Sequence, residues 1–196
     1  MYNGVTAAYF TRLNADGSLD TTFNQACTSS CGFNGFVAAV EVLSGGKLLV
    51  GGSFNNYNGI GVVGLVRLNA DGSLDATFNS GCTSSCGFTG SSGTTAQVQA
   101  LAVQGDGKLL VGGFFVAYNG ASATYFTRLN ADGSLDATFN SGCTSSCGFD
   151  NMVWALALQS DGKVLVAGDF SNYNGVSAAY FTRLNADGSA DATFNS

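Results

Sequence analysis

The segment RLNADGSLDATFN at residues 128–140 occurs in four copies, and that repetition restricts the possible folds more than any other feature of the chain. It returns unchanged at 67–79, as RLNADGSLDTTFN at 12–24 and as RLNADGSADATFN at 183–195. Near-identical segments fold as an array in which each copy buries its apolar surface against the next. Aligned on Tyr-Asn-Gly, the chain reads as a single array over 1–196, with repeats at 2–56, 57–117 and 118–172 and a partial one at 173–196. The second repeat is longer, and its extra residues fall in the Gly/Ser/Thr stretch 89–97. This stretch is expected to be a surface loop, where added length costs little.

Each full repeat carries two hairpin signals. In YFTRLNADGSLDATF, Asn opens a turn whose fourth residue is Gly, which suits a type I turn followed by a glycine bulge. That register pairs Asn130 with Ser134, Leu129 with Leu135 and Arg128 with Asp136. The Arg–Asp pair recurs at Arg12/Asp20, Arg67/Asp75 and Arg183/Asp191. At an exposed position such a pair adds little stability, so its expected role is to fix register. The second hairpin, VQALAVQGDGKLLVGGFF at 98–115, has counterparts at 37–54 and 153–170. Its strands ALAV and KLLV are almost wholly apolar, which predicts burial on both faces. No segment sustains helical spacing.

Four short strands per repeat is the content of a propeller blade. The expected fold class is therefore all-β: a β-propeller-like array of four-stranded antiparallel blades, closed or extended by neighbouring chains. The chain supplies about three and a half such blades, and rings commonly close with about four to eight. Both termini cut into the repeat, which suggests a fragment of a longer array or a subunit completed by neighbours. Unpaired edge hairpins would favour association.

Charge and cysteine usage bear on partners and compartment. A net charge of −6, with 7 basic residues dispersed along the chain, argues against nucleic acid, whose phosphates need clustered Lys and Arg. No run of 18 apolar residues is present, so no helical membrane span is expected. Met1 leads into Tyr-Asn-Gly without a basic or apolar leader, which suggests the mature or excised part of an exported protein. Export is indicated by six cysteines in three CTSSC segments, Cys27/Cys31, Cys82/Cys86 and Cys143/Cys147, in a chain with no histidine. Each segment supplies two ligands where zinc needs four, and neither a CxxC redox pair nor a CxxCH haem motif is present. Disulfides are the expected reading, with bridges between chains as the open alternative.

The consensus V-x-A-L-A-V-Q-x-D-G-K-L-L-V-G-G-x-F, followed by Y-N-G and R-L-N-A-D-G-S-L-D-A-T-F, resembles the Delta-60 repeat family along nearly the whole chain. The resemblance implies β-propeller-like blades in a large exported bacterial protein, hence an extracellular or cell-surface location. It implies no activity. The CTSSC insert departs from the glycine-rich link usual in that family.

The segment NADGSLD places side-chain oxygens at alternate positions: Asn14, Asp16, Ser18 and Asp20; Asn69, Asp71, Ser73 and Asp75; Asn130, Asp132, Ser134 and Asp136; Asn185, Asp187, Ser189 and Asp191. Calcium loops use such spacing to gather six to eight oxygens from one turn. Tight hairpins demand the same residue types, and no glutamate follows at the twelfth position, so calcium is an expectation from spacing alone. Recurrent aromatics, Tyr57/Tyr118/Tyr173, Phe78/Phe139/Phe194 and Phe88/Phe149, are expected to pack between blades; exposed tyrosines beside Asn-Gly would instead offer glycan platforms. Trp154, which breaks the symmetry, is expected to pack in the core or between subunits. With no histidine, a single glutamate (Glu41) and only Asp150 and Asp169 as repeat-specific aspartates, an enzyme is not expected. The leading expectation is an extracellular structural or adhesive protein that self-associates as a homo-oligomer or fibre. The alternative is a propeller module that binds glycan or calcium.

Overall fold

In the computed structural model residues 9–194 are described, and over them the regular elements are strands and two three-residue 3-10 turns. The chain passes through β1 (Phe36–Val42), β2 (Leu48–Ser53), β3 (Asn56–Tyr57), β4 (Ile60–Gly61) and β5 (Leu65–Leu68). It then forms β6 (Phe88–Thr89), β7 (Gln97–Val103), β8 (Leu109–Phe114), β9 (Ala117–Tyr118), β10 (Ala121–Ser122) and β11 (Phe126–Leu129). Last come β12 (Val153–Leu158), β13 (Val164–Gly168), β14 (Asn172–Tyr173), β15 (Val176–Ser177) and β16 (Phe181–Leu184).

Three antiparallel sheets repeat one order: β1-β2-β5, β7-β8-β11 and β12-β13-β16. The fourth strand of each blade is reduced to a single bridge across the NADGS turn, Leu68 with Leu74, Leu129 with Leu135 and Leu184 with Ala190. The turn adopts the anticipated register. Asn130 N–H donates to the Ser134 carbonyl at 2.8 Å, and Asp136 N–H to the Arg128 carbonyl at 3.0 Å.

A feature that hydrophobic patterning misses lies between the second and third strands of each sheet. Tyr-Asn-Gly is itself a hairpin loop, with Asn58 at φ 51° and Gly59 at φ 80° and Tyr57 paired to Ile60. Two consecutive left-handed residues make a type I′ turn, and Asn-Gly is its preferred sequence. The same ribbon forms as β9-β10 and β14-β15.

The sheets stack face to face, β1 against β7 and β7 against β12. Val98 and Leu101 lean on Gly51, where an added Cβ would lie 2.5 Å from a Val98 methyl; Val153 stands over Gly112 in the same way, at 2.6 Å. Glycine there lets the sheets come together, and Ala167 takes that place in the third sheet. The central strands β2 and β8 are buried nearly throughout, as their apolar runs predict. Their partners differ: β7 is mostly buried, whereas β1 and β12 each leave much of their length exposed. Apolar content alone did not distinguish them, because burial of the second face depends on whether another sheet covers it.

The segment 89–97 is largely exposed around a 3-10 turn at Ser91–Gly93, with Ala96 anchoring it in the core. Trp154 lies at the β-bulge of β12 and is 48% exposed, so it is not a core residue. Among the described residues no helix is long and apolar enough to cross a membrane.

Candidate functional site

The NADGS turn of one repeat is where the preceding repeat takes hold. In the second copy, the three successive carbonyls of Ala70, Asp71 and Gly72 each accept one hydrogen bond. Ala70 accepts from the Arg12 guanidinium, Asp71 from the Asn24 N–H at 2.6 Å, and Gly72 from the Tyr57 hydroxyl at 2.5 Å. The third copy repeats this with Arg67 to Ala131 at 2.5 Å, Asn79 to Asp132 at 2.7 Å and Tyr118 to Gly133 at 2.7 Å. The fourth has Arg128 to Ala186 at 2.6 Å, Asn140 to Asp187 at 2.8 Å and Tyr173 to Gly188 at 2.5 Å. The tyrosine lies in the same repeat as its glycine and satisfies that buried residue's carbonyl, whereas the arginine and asparagine bonds cross from the preceding repeat and join the copies together.

Aromatic packing reinforces it. Phe23, Phe78 and Phe139 press their rings on Gly72, Gly133 and Gly188 of the next copy, where a Cβ would lie under 3 Å from ring carbons. The guanidiniums of Arg12, Arg67 and Arg128 lie over those same phenylalanines at 4.6–4.8 Å, a favourable cation–π arrangement. Phe78 and Phe139 thus pack between blades as expected.

Each arginine is held by its own aspartate. Arg67 Nε donates to Asp75 Oδ2 at 2.6 Å and Arg128 Nε to Asp136 Oδ2 at 2.7 Å. A lysine from the preceding hairpin shares that oxygen: Lys47 for Asp75, Lys108 for Asp136 and Lys163 for Asp191. These three carboxylate side chains are each 4% exposed, which corrects the expectation of a surface pair. A lysine and an arginine on one oxygen and a threonine hydroxyl on the other surround each of them. Burial disfavours the charged form of Asp75, but bonds from Lys47, Thr77 and Arg67 outweigh it and hold the carboxyl well below the usual range. Asp136 is depressed likewise against its burial, by Thr138, Lys108 and Arg128. At the more open Asp20, bonds from Thr22 and then Arg12 lower the value to about 2.

The tyrosines are structural. Tyr57, Tyr118 and Tyr173 are buried, and burial raises the pKa of Tyr57 to about 12 and moves the other two in the same direction. This corrects the reading of them as exposed glycan platforms, since the turn carbonyl satisfies the hydroxyl and the ring fills the core. A fixed separation of 15 residues from each tyrosine to its glycine was the sequence signal for this bond.

The oxygens of NADGSLD divide between two sides of the turn. Ser18 donates its N–H and hydroxyl to Asp16 at 2.9 and 2.6 Å, and Asn14 donates to the Ser18 hydroxyl at 2.9 Å. The same trio forms at Asn69/Asp71/Ser73, Asn130/Asp132/Ser134 and Asn185/Asp187/Ser189. The fourth expected ligand, Asp20, Asp75, Asp136 or Asp191, is instead engaged by arginine. Among the described residues, no three His, Cys, Asp or Glu side chains gather as a metal-holding group.

The cysteines pair within each loop as Cys27–Cys31, Cys82–Cys86 and Cys143–Cys147, with Cα separations of 5.6–5.7 Å. Reciprocal amide pairs, Asn24 with Asn58, Asn79 with Asn119 and Asn140 with Asn174, tie each latch to the adjacent Asn-Gly ribbon. The Oδ1 atoms of Asn58, Asn119 and Asn174 also accept the N–H of Gly32, Gly87 and Gly148, just after each disulfide. Among the described residues, clefts of about 490 Å³ beside Cys82 and about 460 Å³ beside Cys143 lie between disulfide loop and NADGS turn.

Comparison with curated proteins and with solved structures finds no match. A family model described as Domain of unknown function (DUF5122) beta-propeller matches residues 1–23, 44–78, 104–139 and 159–194. Each of the three later segments runs from the turn before β2, β8 or β13 to Phe78, Phe139 or Phe194, so it contains one acceptor turn together with the arginine and phenylalanine of the same motif. The matched segments together span well over half of the chain, and this protein belongs to that beta-propeller repeat family.

Proposed function

We propose that this protein is an extracellular structural or adhesive module whose repeats assemble head to tail into a scaffold or fibre, and that it carries no catalytic site. The observation that carries this reading is the latch. One segment, RLNADGSLDATFN, supplies both the gripping residues Arg, Phe and Asn and the gripped turn Ala-Asp-Gly. An interface between unlike faces of the same unit propagates, whether the two units lie in one chain or in two. It also accounts for the strictness of the repeat, because a change in the motif alters both halves of the contact. The polar side chains of the site are committed to one another, which suits a joint better than a reactive centre. Three disulfides support an oxidising, extracellular setting, and the repeat consensus supports the finer assignment to Delta-60 repeats of exported bacterial proteins.

The test is the native mass of the unreduced protein, measured by light scattering across a range of concentrations. Oligomers or filaments should form, and Arg183→Ala with Phe194→Ala should reduce them to single chains with an unchanged far-UV spectrum. A chain that stays monomeric at high concentration, or assemblies indifferent to those substitutions, would sink the proposal.

A further inference from the structure

The two clefts flanking the disulfide loops recur at successive junctions with the same architecture. One wall is the disulfide loop, carrying the exposed hydroxyls of Thr83 and Ser84, or of Thr144 and Ser145 in the other cleft. The opposite wall is the next NADGS turn, with Asp132 and Ser134, or Asp187 and Ser189. The floor is the amide pair, Asn79 with Asn119 or Asn140 with Asn174. Volumes near 500 Å³ fall in the range of small-ligand sites, about 300–1,000 Å³.

The lining selects a ligand chemistry. Lysine and arginine are absent from both linings, which disfavours phosphates, sulfates and nucleic acids. One carboxylate per cleft falls short of a cation's oxygen shell. The apolar side chains are Leu135, Ala121 and the buried Tyr118 in one cleft and Ala190 in the other, so the two clefts share no large apolar group that would select an apolar ligand or a peptide side chain. What remains is a dense set of hydroxyl, carboxamide and carboxylate groups, able both to donate and to accept.

That set is also held rigid. The disulfide closes one wall, Asn119 and Asn174 are bonded on both sides, and Ser134 or Ser189 orients one oxygen of the aspartate. Groups fixed before binding lose little entropy on binding.

We infer that these clefts are a repeated binding site for a neutral oligosaccharide, held by hydrogen bonds to its hydroxyls. Asp132 and Asp187 accept two hydroxyls through charge-assisted bonds, the loop hydroxyls bridge to others, and a polymer running along the array engages successive clefts with gain in avidity. The latch bonds beside both clefts, Asn79 to Asp132 and Asn140 to Asp187, are made within one chain, so the site stands whether or not chains polymerise.

The experiment is affinity electrophoresis of the unreduced protein through gels containing, in turn, a β-glucan, a chitin derivative, an α-glucan and a mannan. Calorimetry follows with the hexasaccharide of whichever polymer retards it. Retardation by at least one polymer and at least two sites per chain are expected. Thr144→Arg should remove one site, and Thr83→Arg with Thr144→Arg should remove two, with unchanged far-UV spectrum. The assembly-deficient Arg183→Ala, Phe194→Ala chain should bind the hexasaccharide as the parent does. No retardation in any gel, retardation indifferent to the doubly blocked clefts, or displacement of the saccharide by a mixed peptide pool would each overturn the inference.

Discussion

Asp136 and Asp20 occupy the same place in the motif and meet different surroundings. Asp136 is enclosed between Arg128 and Lys108, with the arginine side chain itself only 8% exposed. Asp20 has Arg12, in a more open position. Removing one partner of a buried pair strands the other, so Asp136→Asn should cost about 3 kcal/mol in urea unfolding. Asp20→Asn should cost distinctly less, and equal effects would show that burial does not govern the pair. The pH dependence follows from the direction of the shifts. Folded values for Asp20, Asp75 and Asp136 lie below the ordinary carboxylate value of about 3.9. The stability they contribute is therefore fully present above about pH 4 and is lost as pH falls through the folded values. The buried tyrosines have raised values, so their contribution is full below about pH 10 and is lost as pH rises through 12. Melting temperatures from pH 2 to pH 12 should form a plateau that falls at both ends.

At the scale of the strand, the Gly51 and Gly112 positions set how closely two sheets approach. Gly112→Ala would place a methyl 2.6 Å from a Val153 methyl, in a face where β8 is buried nearly throughout. Overpacking of this kind costs roughly 1–3 kcal/mol. The chemical-denaturation midpoint should fall accordingly, while Gly105→Ala, in an open turn with nothing near its Cβ, should leave it almost unchanged. Much at this scale was legible beforehand. The bridge of Leu129 to Leu135 followed from turn chemistry, because Asn at the start and Gly at the fourth place leave few registers. The Asn-Gly ribbon was missed in the sequence, although its dipeptide is the preferred sequence of a type I′ turn. The fourth strand was legible as a hairpin arm but not as a single bridge, since after Leu74 the chain turns back through Asp75 and Phe78 instead of extending.

For the whole molecule, the joint between repeats carries the consequence for calcium. A calcium ion using the full NADGSLD set would have to take Asp75 from Lys47 and Arg67, or Asp136 from Lys108 and Arg128. We expect a chelator to leave the native mass and melting temperature unchanged. A fall in either on chelation, reversed by adding calcium, would show that the turns hold the ion in preference to the ion pairs.

The residues alone determined the array, the hairpins and the all-β class, because each is written in short-range pattern: a strict repeat, and Asn and Gly at fixed turn positions. That each cysteine pairs within its own loop was decided by the structure. The partner of each repeated side chain was decided only in three dimensions. Arg67 reaches Ala131 across 64 residues, Asn79 reaches Asn119 across 40, and each buried tyrosine hydroxyl finds the glycine carbonyl of a turn 15 residues on. Spacing along a chain fixes what is near in sequence. Which polar group a turn carbonyl finds, and which face of a sheet is covered, depends on how the next copy is set against it.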